Sequence, residues 1–92
     1  YAFSVDLWKK IHGLNGLIKY GLDEQFISLK VWLSGGKCQL IPNIELGHVY
    51  RDFAPYEMSA LEFIYNKMLI TSLIFPEPCK YEVFARFRTK NS

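Results

Sequence analysis

Leu61, Ile64, Tyr65, Met68 and Leu69 recur at helical spacing between about Glu57 and Leu73, and Pro76 and Pro78 follow them. A stripe of that width predicts an amphipathic helix with a core to pack against. Proline has no amide to donate, so the pair reads as the end of the helix.

A second helix is predicted from Asp23, where a carboxylate can accept from free backbone amides, to a left-handed stop at Gly35-Gly36. Phe26, Leu29 and Leu33 share one face, flanked by Ile27, Val31 and Trp32, a breadth that predicts packing on two sides. Tyr1 to Val5 alternates like a short strand, and Asp6 is read as the cap of a brief helix through Ile11. Residues 13–22 read as a loop pinned by Leu14, Leu17 and Ile18, with glycines breaking the pattern. Lys37 to Ile41 reads as a strand ended by Pro42. A last amphipathic turn or helix over Tyr81 to Phe87 precedes a polar tail that is expected to fray. The fold class is therefore α+β, mostly helical with a few short strands. No internal repeat or interdomain linker appears, and 1–92 is read as a single, partial domain.

A chain of 92 residues buries only about 60 to 65% of its unfolded surface. With 50% hydrophobic and 16% aromatic residues, aromatic rings must supply much of that burial, and a disordered chain is excluded. The net charge of +2 is spread along the chain, without the basic stripe a duplex demands, so no nucleic-acid partner is expected. Cys38 and Cys79 are compatible with one disulfide or with two reduced thiols. No apolar run reaches membrane-spanning length, and no signal-peptide pattern opens the sequence. The start at Tyr1, without methionine, fits a cut domain.

Chemistry concentrates between Tyr20 and Tyr56. Asp23 and Glu24 are adjacent carboxylates at a helix start, where they either complement the helix dipole or take a proton from a hydroxyl. His48 follows Gly47, which leaves room for a ligand. A lone histidine is more often structural than a metal ligand, and one imidazole cannot hold a cation alone. Arg51 offers a planar fork for phosphate oxygens and Tyr56 a neutral donor; the plainer reading of Arg51 is an ion pair with Asp52 or Glu57. His12, after the first helix, reads as a C-terminal cation. Glycine-rich phosphate loops, Gly-x-Ser-x-Gly, His-Glu-x-x-His and Cys-x-x-Cys are all absent.

Tyr20-Gly21-Leu22-Asp23-Glu24, Ile27-Ser28-Leu29-Lys30-Val31-Trp32, Gly35-Gly36-Lys37 and Gly47-His48-Val49-Tyr50-Arg51 together resemble family 2 type glycosyltransferases and the related polypeptide N-acetylgalactosaminyltransferases. The resemblance runs without a gap from Tyr20 to Pro55-Tyr56, and with Asn66-Lys67 it suggests a bacterial member. It implies the C-terminal portion of a GT-A, Rossmann-like domain that uses a nucleotide sugar, expected to be a UDP-sugar, and a glycan or other hydroxyl acceptor. It implies His48 as one ligand of a divalent cation, usually manganese, which the fragment alone is not expected to hold stably. Arg51 and Tyr56 then fall on a loop that closes over the donor pyrophosphate, Tyr20 beside the donor sugar, and Asp23 on a sugar-binding acid, with Glu24 the second acidic candidate.

The departures carry expectations too. Leu22 replaces the second glycine of the usual pair, and Glu24 stands where an asparagine is usual. Ser34 and Asn43 stand where secretory relatives carry cysteines, which implies a reducing, cytoplasmic setting or one peripheral to a membrane. No Asp-x-Asp or Asp-x-His motif occurs, so the nucleotide-binding half is expected outside these residues, with self-association of the exposed cut face and no turnover by the fragment alone. The competing reading is a non-catalytic interaction module, for which exposed Trp8, Phe53 or Phe63 would speak.

Overall fold

A computed structural model describes residues 1–57 and 59–91. Their regular structure is four helices: α1 (Val5–Lys10), α2 (Asp23–Leu33), α3 (Ala60–Ile74) and α4 (Glu77–Asn91). Among the described residues there is no strand, which corrects both expected strands. The first is pre-empted by a cap: Ser4, not Asp6, accepts from the Leu7 amide at 3.1 Å, so the chain turns helical at Val5. Asp6 falls in the first turn, where its charge suits the dipole. Lys37 to Ile41 is left without a partner strand, and an unpaired strand has nothing to stabilise it. It runs as irregular chain with Leu40 90% exposed.

The stop of α2 falls where the glycine pair predicts. Gly35 sits at φ +86°, its amide donates to Trp32 O at 3.1 Å, and the Gly36 amide reaches back to Val31 O at 2.9 Å. These two bonds satisfy carbonyls that the last turn would otherwise leave open. The inward face is narrower than predicted: Phe26, Ile27 and Val31 are buried, while Trp32 and Leu33 lie in solvent. Ile11, Ile27 and Val31 form a small core, with Phe3, Leu7 and Leu14 packed against it.

Lys30 ties α2 to the turn after α1. Its ammonium donates to Ile11 O at 2.8 Å and to Gly13 O, and lies 4.1 Å from the centre of the Phe26 ring. Partial burial pushes its pKa below the ordinary lysine value, and the two carbonyls oppose that cost by accepting from the charged form. Lys30→Met keeps the stem and removes the donors, so a loss of about 1–2 kcal/mol is expected by urea denaturation. An unchanged midpoint would show that water serves those carbonyls as well.

The predicted long helix exists, but its inward face is rotated. Leu61, Tyr65 and Met68 are exposed, whereas Asn66, Ile70 and Thr71 are buried. The reason is Asn66, fully buried and hydrogen-bonded to the 18–21 loop, which turns that side of α3 inward. Ser59 caps the helix by accepting from the Leu61 amide at 3.2 Å, placing its start later than Glu57. Pro76 and Pro78 do separate two helices, but α4 begins between them and extends well beyond Tyr81–Phe87. Proline in a first turn costs no intrahelical bond. α4 packs against α3 and brings the Phe87 ring within 4.9 Å of Lys67 Nζ.

Cys38 and Cys79 are both unpaired and exposed. Among the described residues no helix is long and apolar enough to cross a membrane.

Candidate functional site

The 18–22 loop carries Tyr20 and is held from beneath by α3. Asn66 Oδ1 accepts from the Ile18 amide at 2.8 Å, and Asn66 Nδ2 faces the carbonyls of Ile18, Gly21 and Tyr20 at 2.8, 3.1 and 3.3 Å. Lys19 pairs with Glu62 at 3.3 Å. Gly21, at φ +107°, lets the Phe63 ring come so close that a Cβ there would sit 2.6 Å from it. A side chain at this position therefore meets both strain and a clash.

Leu22 is the N-cap of α2 at φ +67°, ψ +15°, with no side-chain cap bond. Left-handed backbone costs a branched residue roughly 1–2 kcal/mol. Leu22→Gly is accordingly expected to raise stability by about 1 kcal/mol once glycine's own entropy is counted. A lower melting temperature would contradict that strain.

Residues 37–57 run exposed with a turn at 42–43. Part of this run folds over Tyr20. The Tyr20 and Tyr56 ring centres lie 5.8 Å apart at 36°, and His48 and Tyr50 form a second ring pair at 4.2 Å. Tyr20 and residues 48–56 line one open groove of about 700 Å³. An apolar pocket of about 310 Å³ shares Tyr20 with it and is otherwise lined by Ser59, Ala60, Phe63 and Ile64. Thus Tyr20 meets His48, Arg51 and Tyr56, nearly thirty or more positions later in the sequence, in one place.

Among the described residues Arg51 makes no ion pair with Asp52 or Glu57, so its plainer reading is not realised. Arg51 and Asp52 both line the groove, which leaves it formally neutral when His48 is neutral. What such a groove offers an anion is the Arg51 fork and neutral donors rather than net charge.

Asp23 and Glu24 do not line this groove. They occupy the first turn of α2, where their charge complements the helix dipole. Asp23 Oδ2 accepts from the Tyr1 hydroxyl at 3.1 Å. Slight desolvation raises the pKa of the largely exposed Tyr1 phenol, with the Asp23 hydrogen bond and the charges of Asp23 and Glu24 adding to it. The neutral phenol is the donor, so the contact is complete below the unfolded tyrosine value and is lost as pH rises through the raised one.

Among the described residues no three His, Cys, Asp or Glu side chains come together to hold a metal. His48 is one imidazole facing the Tyr50 ring, so among the described residues it has no second ligand at hand. His12 sits just past α1 at φ +61°. Sequence reading missed Asn66 and Phe63 as supports of Tyr20; the available signal was an amide within an otherwise apolar helical run.

No family model and no solved structure matches the chain. It is 42% identical over 45 residues to polypeptide N-acetylgalactosaminyltransferase 10 of Homo sapiens, covering 49% of the chain and 8% of that protein. Over 56 residues it is 38% identical to N-acetylgalactosaminyltransferase 7 of Drosophila melanogaster, 61% of the chain and 10% of the relative. Over 69 residues it is 28% identical to probable polypeptide N-acetylgalactosaminyltransferase 8 of Homo sapiens, 75% of the chain and 11% of the relative. The chain thus spans about a tenth of the curated relatives it matches. These relatives are animal proteins, so the expected bacterial membership finds no support. The partial similarity relates the chain to the glycosyltransferases, through the polypeptide N-acetylgalactosaminyltransferases.

Proposed function

We propose that these residues form one wall of a nucleotide-sugar site in a GT-A glycosyltransferase, whose remaining walls are supplied by chain outside them. The observation that supports this most is the meeting of Tyr20 with His48, Arg51 and Tyr56 around one groove. The acceptor hydroxyl attacks the anomeric carbon, the bond from that carbon to the diphosphate oxygen breaks, and the hydroxyl proton passes to a base. Arg51 stabilises the charge gathering on the departing diphosphate, Tyr56 donates a neutral hydrogen bond, and Tyr20 walls the sugar. Asp23 is the first choice for the sugar or acceptor contact and Glu24 the second. His48 would offer one nitrogen to a divalent cation, expected to be manganese, with the other ligands coming from elsewhere in the protein. A uridine diphosphate sugar is the expected donor. The relatives' names point to N-acetylgalactosamine as the transferred sugar and a polypeptide hydroxyl as acceptor. A reducing, cytoplasmic setting is the expected one, on the ground that Ser34 and Asn43 stand where secretory relatives carry cysteines.

Calorimetry of the full-length protein tests the site. His48→Ala is expected to weaken manganese-dependent uridine diphosphate binding about tenfold or more, the usual scale for a ligand-shell change. Equal affinity in parent and variant would remove His48 from the site.

A second reading, a non-catalytic interaction module, draws support from Phe53 at 82% exposure and Phe63 at 42%. Large exposed rings serve as interface anchors. A protein that bound a partner through Phe53 and bound no nucleotide would favour this reading.

A further inference from the structure

We infer that Asn66 is a positioning residue for Tyr20, so that α3 sets the geometry of the groove it does not itself line. The inference rests on the nucleotide-sugar reading of that groove. Asn66 is fully buried in a helix whose neighbouring turns are apolar, a place where an aliphatic side chain would be the ordinary occupant. Every hydrogen bond of its side chain goes to one short loop: Ile18 N–H to Oδ1, and Nδ2 to the carbonyls of Ile18, Tyr20 and Gly21. Two amide hydrogens face three carbonyl oxygens, so one hydrogen is shared. The backbone is therefore held on both sides of the Tyr20 Cα.

The same side of α3 grips the loop twice more. Glu62 pairs with Lys19 at 3.3 Å, and the Phe63 ring occupies the space that a side chain at Gly21 would need. Glu62, Phe63 and Asn66 thus hold the loop at successive residues, while the Tyr20 side chain stays 47% exposed against Tyr56. Backbone fixed this firmly beneath an exposed ring limits where the ring can point. It also removes ordering cost from any ligand that stacks there.

A double-mutant cycle of Asn66→Asp and Tyr20→Ala in the full-length protein, read as affinity for uridine diphosphate N-acetylgalactosamine, tests the inference. The aspartate keeps size and the acceptor for Ile18 but turns a second oxygen toward three carbonyls. Asn66→Asp alone is expected to weaken binding about tenfold, and to change it less than about twofold once Tyr20 is alanine. Equal losses in both backgrounds would overturn the positioning role and leave the groove reading intact. Identical affinity of parent and Tyr20→Ala would overturn the groove reading and the inference with it.

Where Asn66→Asp does not fold, hydrogen exchange in the parent protein decides. Uridine diphosphate N-acetylgalactosamine is expected to slow exchange of the Ile18 amide about tenfold together with residues 48–56. Slowing in 48–56 without Ile18 overturns the inference alone; slowing in neither overturns both.

Discussion

Asn66→Leu is expected to destabilise the protein by about 3 kcal/mol, the largest loss among the substitutions considered. Leucine has the branching and heavy-atom count of asparagine and is easily held in a helix, so propensity predicts no loss and its greater bulk only a modest overpacking cost. The loss comes from the partners left behind. The Ile18 amide and the carbonyls of Ile18, Tyr20 and Gly21 all turn toward Asn66, whose side chain is fully buried. An unpaired buried polar group costs about 1–3 kcal/mol, so even with water reaching some of them the sum is large. Urea denaturation of the full-length protein and of Asn66→Leu measures it. A change within half a kilocalorie, roughly the range of neutral surface substitutions, would mean that these bonds are replaced by solvent.

Arg51→Ala is expected to lower kcat/KM for sugar transfer on the order of a hundredfold, the scale for removing one donor aimed at developing negative charge. Stability is expected to stay unchanged, because Arg51 is exposed and, among the described residues, makes no ion pair. Arg51→Lys restores charge but not the planar fork, so partial recovery distinguishes bidentate phosphate contact from a general field. Transfer that survives Arg51→Ala undiminished would take Arg51 out of the mechanism.

These two residues mark what local sequence could reveal. Arg51 is a candidate from sequence because its chemistry is carried by residue type, and the fold places it in one groove with Tyr20, His48 and Tyr56. The α2 stop was legible for a similar reason: Gly35 permits the left-handed turn without a partner elsewhere. Asn66 was not legible, because its bonds go to residues more than forty positions away and α3 offers apolar side chains on several faces. Periodicity finds the helix but cannot choose the inward face when a polar clamp makes the choice. The two expected strands failed on the complementary point. Alternation shows that a segment could pair, but pairing needs a partner that these residues do not supply.

The acids stand apart. Asp23 and Glu24 share the α2 start with Leu22, whose strained backbone aims that turn. Their first-turn dipole role is met in the structure, and their proposed contact with sugar or acceptor depends on walls contributed from outside the chain.

Photoaffinity labelling addresses the site most directly. A uridine diphosphate sugar with a photoreactive diazirine on the sugar is irradiated with the full-length protein, and the labelled peptides are mapped. Labelling of Tyr20–Glu24 or Gly47–Tyr56, suppressed by excess uridine diphosphate, is the predicted result. Competable labelling that avoids both segments, and falls elsewhere in the protein, would contradict it.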